Sequence, residues 1–157
     1  MAPTITPTMT VLHLESGHVL AAAASGSRTV TVADLTGGTY LAVRLPGSRG
    51  AADNVPAELL TAATVPLDDD VHSRPLEYLV GTGVPALTFG GRPINLGPTS
   101  AKIDAPDGTA VTSLWRVGDE LEVAHSTLDG GRPEGGRPTG ASHRLVACRG
   151  EPLAYER

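Results

Sequence analysis

The chain has 157 residues, enough for one domain with its own core, and 40% of them are apolar although only 3% are aromatic. The formal net charge is −5 and neither half of the chain is basic, which argues against a nucleic-acid-binding domain, since such a domain usually has a basic face. No apolar run approaches the roughly 20 residues that span a bilayer, and a single cysteine excludes an internal disulfide. We therefore expect a cytoplasmic protein that has no membrane segment.

Residues 1–10, MAPTITPTMT, are predicted to form an extended N-terminal arm, with a single domain over 11–157. Pro3 and Pro7 remove backbone donors and favour extended backbone, and Thr and Pro bury little apolar surface. Such an arm on a small β domain often lies across a neighbouring subunit. The alternative is a frayed terminus.

Short runs that suit β-strands follow at regular spacing. The runs 10–15 and 18–24 flank Ser16-Gly17, which predicts a hairpin. The runs 28–35 and 39–45 both alternate and are separated by Gly37-Gly38, which predicts a second hairpin. Residues 55–65 favour a strand, or one helical turn that leads into a strand.

The second half continues the pattern. Strand-like runs are 77–83, 85–91, 94–96, 100–106, 109–117, 120–128, 142–148 and 152–156. The clearest hairpin joins 109–117 to 120–128 through Gly118-Asp119. About ten short, mostly antiparallel strands without a long helix predict an all-β single domain, either a β-sandwich or a β-barrel.

The densest polar cluster is Asp68, Asp69 and Asp70, followed by His72. Adjacent carboxylates suit a hard cation such as calcium, but consecutive residues of an extended chain point in opposite directions. A solvated acidic turn after Pro66 is the favoured interpretation, and the alternative is that Asp68 accepts backbone hydrogen bonds as a turn residue. The five histidines show no metal-binding spacing, so we predict no metal site and no cofactor.

The tetrapeptide Gly-Gly-Arg-Pro occurs at 90–93, 130–133 and 135–138. The segment 129–142 is longer than a normal turn of two to five residues and is predicted to be the exposed tip of a hairpin. We expect Arg132, Arg137 and Arg92 to contact another protein, and the acidic patch Asp68–Asp70 of a neighbour is a natural electrostatic partner. Trp115, the only tryptophan, is predicted to be a buried strand residue or, if exposed, a contact residue.

Motifs of serine and aspartic hydrolases, of phosphate-binding loops and of dinucleotide sites are lacking in the sequence, and Cys148 suits a buried apolar position. The sequence thus predicts a non-enzymatic structural or assembly protein, such as an accessory or decoration component of a virus-like or phage-tail-like particle. It would bind copies of itself or another structural protein through the arm and the 129–142 loop. The alternative is a small β-barrel enzyme or ligand-binding protein whose pocket is built from scattered residues.

Overall fold

A computed structural model describes residues 7–26, 28–44, 52–81, 86–89, 94–96 and 102–156. These residues form thirteen strands, two short α-helices and two 3-10 turns. In chain order the elements are β1 Thr8–His13, β2 Val19–Gly26, α1 Val32–Thr36, β3 Tyr40–Val43, β4 Asp53–Pro56, a 3-10 turn Ala57–Leu59, β5 Thr61–Pro66, α2 Asp69–Ser73, a 3-10 turn Pro75–Glu77, β6 Tyr78–Val80, β7 Leu87–Phe89, β8 Ile94–Asn95, β9 Ala110–Val117, β10 Glu120–Asp129, β11 Arg132–Pro133, β12 Ala141–Cys148 and β13 Ala154–Glu156. Neither α-helix in these ranges is long and apolar enough to cross a membrane.

The strands form one large sheet and three smaller ones. The six-stranded sheet has the order β11-β10-β9-β12-β13-β8 and is antiparallel except for the pair β13 and β8. The three-stranded sheet has the order β2-β1-β5, and β3 with β4 and β6 with β7 form two-stranded sheets. The all-β prediction is confirmed, whereas the choice between a sandwich and a barrel stays a prediction.

The core consists of three apolar clusters that follow the alternation of the strands. The central cluster brings Leu12 and Leu20 of the three-stranded sheet together with Leu114 and Leu145 of the six-stranded sheet. The face of the six-stranded sheet that carries Leu114 is therefore its inner face. We call the opposite face, which carries Val111 and Trp115, the outer face.

The remaining two clusters lie behind the two larger sheets. One packs Val111 and Val146 of the outer face against Leu96 and Ile103. The other packs Met9, Val11 and Val65 of the three-stranded sheet against Val71 of α2.

The predicted boundary of the arm at residue 10 is wrong. Thr8–Thr10 belong to β1, which pairs with both β2 and β5 and is the central strand of its sheet. Met9 and Thr10 are completely buried, because a central strand has both edges bonded and Met9 fills an apolar cluster. Residues 1–6 lie outside the described residues, and their role as an arm stays a prediction.

The predicted hairpin around Gly37-Gly38 is also wrong. The chain forms α1 because Thr31 and Asp34 cap each other's backbone N–H groups, at 3.1 and 2.9 Å, in a capping box. Gly37 ends the helix with a φ of 71°, a left-handed conformation that favours glycine. β3 then pairs with β4 and not with the segment before Gly37.

Other local predictions are confirmed. The hairpins at Ser16-Gly17 and Gly118-Asp119 form, and a single 3-10 turn leads into β5.

The predicted strand 100–106 is wrong where it is described, since 102–106 are irregular. There the Ile103 N–H donates to the carbonyl of Gly131 at 2.9 Å, which holds the segment against the β10–β11 turn.

Candidate functional site

The segment 129–142, predicted as an exposed hairpin tip, instead folds back along its own sheet. Asp129 pairs with Arg132, and Gly130 and Gly131 between them have φ of 61° and 80°, as a two-residue turn with two left-handed residues requires. The chain continues through β11 and crosses to β12, which pairs with β9 and not with β10. The hairpin prediction is therefore wrong, because β9 lies between the two strands that flank the segment.

Two of the arginines predicted to contact another protein bind groups of their own chain. Arg132 Nη1 donates to the carbonyl oxygen of Leu96 at 3.0 Å. Arg137 Nη2 lies 3.4 Å from Glu156 Oε1. A partner protein would have to share or displace these groups, so the contact role of both residues stays a prediction. Arg92 lies outside the described residues.

Trp115 is only 3% exposed, so the prediction of a buried strand residue is confirmed and its ring is not a surface contact. The guanidinium carbons of Arg144 and Arg137 lie 4.3 and 5.7 Å from the centre of the Trp115 ring. Arg144 Nη2 also bonds Glu156 Oε2 at 2.7 Å. We call these four residues the outer-face cluster. It fastens the segment that crosses from β11 to β12 onto the outer face.

The acidic residues 68–70 start α2. Asp68 Oδ1 accepts from the backbone N–H groups of Asp70 and Val71 at 2.9 and 3.3 Å, as an N-cap residue does. Asp69 and Asp70 occupy the first turn, where the helix dipole favours negative charge. The interpretation that Asp68 accepts backbone bonds is confirmed. The role of the three residues as a patch for a partner stays a prediction.

A groove of about 500 Å³ lies between β2, β3 and the segment that joins α2 to β6. It is lined by residues 20–22, 42–44 and 73–77. Consecutive residues of a strand point to opposite faces, so a wall made of consecutive residues is the edge of a strand. Within the described ranges, β2 has a ladder only with β1, and β3 only with β4. Both strands therefore turn toward this groove an edge that has no strand partner among the described residues, although the 3-10 turn Pro75–Glu77 packs against β2. We call this groove the β2-edge groove.

A second constellation lies where β4 meets the six-stranded sheet. The Asp53 side chain is 2% exposed, and its carboxylate accepts hydrogen bonds from Arg116 and His143. Its Oδ1 lies 3.2 Å from Arg116 Nη1, and its Oδ2 lies 3.0 Å from His143 Nε2. On the other side of the imidazole ring, His143 Nδ1 is 3.2 Å from Ser142 Oγ. The four side chains form a continuous hydrogen-bonded chain from the surface to the interior.

His18 and Cys148 have structural surroundings. His18 Nε2 bonds the carbonyl oxygen of Glu151 at 2.6 Å, and Nδ1 bonds Ser16 Oγ at 2.7 Å. Burial lowers the pKa of His18 from 6.5 to about 4. Cys148 is completely buried, and burial raises the pKa of its thiol, so it is a protonated apolar side chain at neutral pH, as predicted.

The sequence did not reveal the Asp53–His143 constellation or the β2-edge groove. Asp53 and His143 are 90 residues apart, and neither belongs to a local motif. A weak indication existed for the groove, because β2, VLAAAASG, carries no charge and no proline.

Comparison with protein-family models, with curated proteins and with solved structures found no match to this chain.

Proposed function

We propose that the protein is a structural or assembly protein whose copies associate through the free edge of β2. The observation that carries this proposal is an eight-residue edge strand without any charged residue or proline. The predicted contact surface on 129–142 has a weaker basis, because Arg132 and Arg137 bind groups of their own chain.

Natural edge strands usually carry features that prevent pairing with another chain, such as lysine, proline, short length or cover by another element. β2 contains no lysine and no proline, and it is eight residues long. Its cover by another element is incomplete, because the β2-edge groove lies beside residues 20–22. Small apolar residues, among them Ala21, Ala22 and Ala42, line part of the groove, and the lining also includes Arg44, Arg74 and Glu77. An extended strand fits such a groove, with backbone hydrogen bonds supplying affinity.

A second copy of β2 is the occupant that the sequence of the strand favours. Antiparallel pairing about a two-fold axis places the Ala21–Ala24 stretch of one copy opposite that of the other. Small side chains permit close approach, and no charged side chain of β2 meets its own copy. Interfaces of this isologous kind are the commonest in homo-oligomers.

The wider role that we propose is that of an accessory or decoration component of a virus-like or phage-tail-like particle assembled in the cytoplasm. Its support is the combination of one small all-β domain, a net charge of −5 that disfavours nucleic acid, and a strand edge suited to a protein partner. An alternative within this role is that another structural protein donates a strand to the same edge. The next experiment distinguishes this alternative from pairing between two copies.

The test is the substitution Ala24→Lys, which adds a charge to an exposed position of β2. The matched control is Ala110→Lys, since Ala110 is also exposed but begins β9, an internal strand of its sheet. We expect the wild type and the control to reach twice the single-chain mass of 16.1 kDa in light scattering as concentration rises, and Ala24→Lys to stay monomeric. A wild type that is monomeric at every concentration, or a dimer that Ala24→Lys leaves intact, contradicts pairing of copies through β2.

The ligand-binding alternative has one observation in its favour. A recess of about 440 Å³ on the outer face is lined by Ser113, Trp115, Ser126 and Arg144 and by residues 134–136 of the crossing segment. Because Trp115 is the only tryptophan, a ligand in this recess would change the fluorescence of a single known residue. Fluorescence that no small polar molecule alters would count against this alternative.

A further inference from the structure

Ser142 stands at the exposed end of the hydrogen-bonded chain that leads through His143 to Asp53 and Arg116. The strand pairing shifts by one residue between Ala141 and His143, so Ser142 is the extra residue of a β-bulge in β12. A bulge redirects side chains, and here the Ser142 hydroxyl and the buried His143 imidazole come within 3.2 Å although the two residues are adjacent in a strand. Gly140, with a φ of 84°, supplies the turn just before the bulge.

The proton positions follow from the partners. Asp53 as a carboxylate only accepts hydrogen bonds, and it receives one from Arg116 on Oδ1 and one from His143 on Oδ2. His143 Nε2 must therefore carry a proton, which in the neutral ring leaves the lone pair of Nδ1 free. That lone pair faces the Ser142 hydroxyl. The imidazole is thus held in the tautomer in which Nδ1 accepts the serine proton.

The geometry points to Ser142 as a nucleophile that reacts with small carboxylic esters, with His143 as its base and Asp53 as the residue that orients the base. An activated nucleophile typically has its hydroxyl within about 2.6–3.2 Å of a base, and a third group orients that base. Such constellations are identified by geometry and not by residue order. This site is separate from the β2 edge, and the inference does not depend on the assembly proposal.

The reaction balances with these groups alone. Ser142 Oγ attacks the ester carbonyl carbon while its proton moves to His143 Nδ1, and the ring becomes an imidazolium that Asp53 stabilises through Nε2–H. The carbon–oxygen bond to the alcohol then breaks, and the leaving alkoxide takes the proton from Nδ1. The product is an acyl ester on Ser142 and a free alcohol. Water then attacks the acyl ester with His143 again as base, which restores Ser142 and releases the acid. When the alcohol is p-nitrophenol, a good leaving group, this second step is slower than acylation, so the acyl group stays on Ser142 during a brief treatment.

The experiment compares serines within one wild-type molecule, so it requires no variant to fold. The protein is treated briefly with p-nitrophenyl acetate, and acetylation of each serine is followed by peptide mass spectrometry. Ser16 is the control for histidine contact, because its Oγ lies 2.7 Å from His18 Nδ1 but His18 is oriented by a carbonyl and its pKa is lowered to about 4. Ser73 is the control for exposure, because it is exposed and its Oγ bonds backbone carbonyls of α2.

A positioned base contributes roughly 10²–10⁴-fold to a rate, so we expect Ser142 to be acetylated at least about 100-fold faster than Ser16 and Ser73. Ser142→Ala should remove this fast modification, and folded Asp53→Asn should reduce the Ser142 rate to that of Ser73. Acetylation of Ser142 no faster than that of Ser73 overturns the inference. So does an Asp53→Asn protein that keeps its fold by circular dichroism and also keeps the Ser142 rate. If Asp53→Asn does not fold, the comparison of the three wild-type serines decides alone.

Discussion

Mild acid should destabilise the protein through His18. The ring is 1% exposed, and its Nε2 must donate to the Glu151 carbonyl, because a carbonyl oxygen only accepts. Nδ1 therefore accepts from the Ser16 hydroxyl, and the ring is neutral. Protonation would place a charge in the interior, which is why burial lowers the pKa of His18 from 6.5 to about 4.

The expected loss of unfolding free energy follows from the difference between the pKa of His18 in the unfolded state and its pKa in the folded state. The unfolded chain takes up the proton near pH 6.5 and the folded protein near pH 4, so the unfolded state binds more protons between these values. The contribution of His18 to the unfolding free energy is therefore fully present above pH 6.5 and is lost as the pH is lowered toward 4. One pKa unit corresponds to about 1.4 kcal/mol, so the total loss is about 3 kcal/mol, with a slope of about 1.4 kcal/mol per pH unit.

Urea unfolding at a series of pH values between 7.5 and 4.5 measures this slope. His18→Gln keeps a donor toward Glu151 but has no group that titrates, so the difference in unfolding free energy between wild type and variant should shrink as the pH falls. His72→Gln is the control, because it replaces an exposed imidazole instead of a buried one. Parallel pH profiles for wild type and His18→Gln would refute the argument, since carboxylates titrate equally in both.

Two further substitutions test the outer face and its turn. Trp115→Ala should cost about 3–5 kcal/mol in urea unfolding, because it removes a 3% exposed ring and leaves the Arg144 guanidinium without its stacking surface; a cost below about 1 kcal/mol would contradict a core role. Gly131→Ala should be clearly more destabilising than Gly130→Ala, although both have positive φ, because a Cβ at 131 would lie 2.7 Å from Lys102 Cβ whereas one at 130 meets nothing within 4 Å. Equal thermal midpoints for these two variants would show that the approach of Lys102 is not restrictive.

Local structure was predictable where neighbouring residues determine it. The hairpin at Gly118-Asp119 forms because two alternating runs are joined by a two-residue turn, and both the runs and the turn are visible in the sequence. The fold class followed from the same kind of evidence. The segment 28–35 was mispredicted because Val30 and Val32 suggested alternation, whereas the capping pair Thr31 and Asp34 determines the structure.

Structure that depends on distant residues was not predictable. The runs before and after 129–142 look like hairpin partners, but β12 instead pairs with the far side of β9. Met9 was placed in an arm because its neighbours are Thr and Pro, and only the pairing of β1 with β5 shows that it is in the core. Asp53 reaches His143 because β4 packs on the inner face of the large sheet, a contact for which the sequence contains no pattern.

The pairing of strands far apart in the chain has a consequence for how the protein folds. The pairs Thr8 with Pro66 and Ile94 with Ala154 each close a loop of roughly sixty residues. Closing such a loop costs chain entropy before the contacts between its ends can stabilise it. Domains dominated by long-range strand pairing therefore fold in milliseconds to seconds, whereas a single hairpin forms in about 1–10 µs. The β1–β2 hairpin therefore forms long before its sheet is complete. During that interval the uncharged edge of β2 is exposed on every new chain, so crowded synthesis should favour aggregation at this strand, and low temperature or slow expression should raise the yield of folded protein.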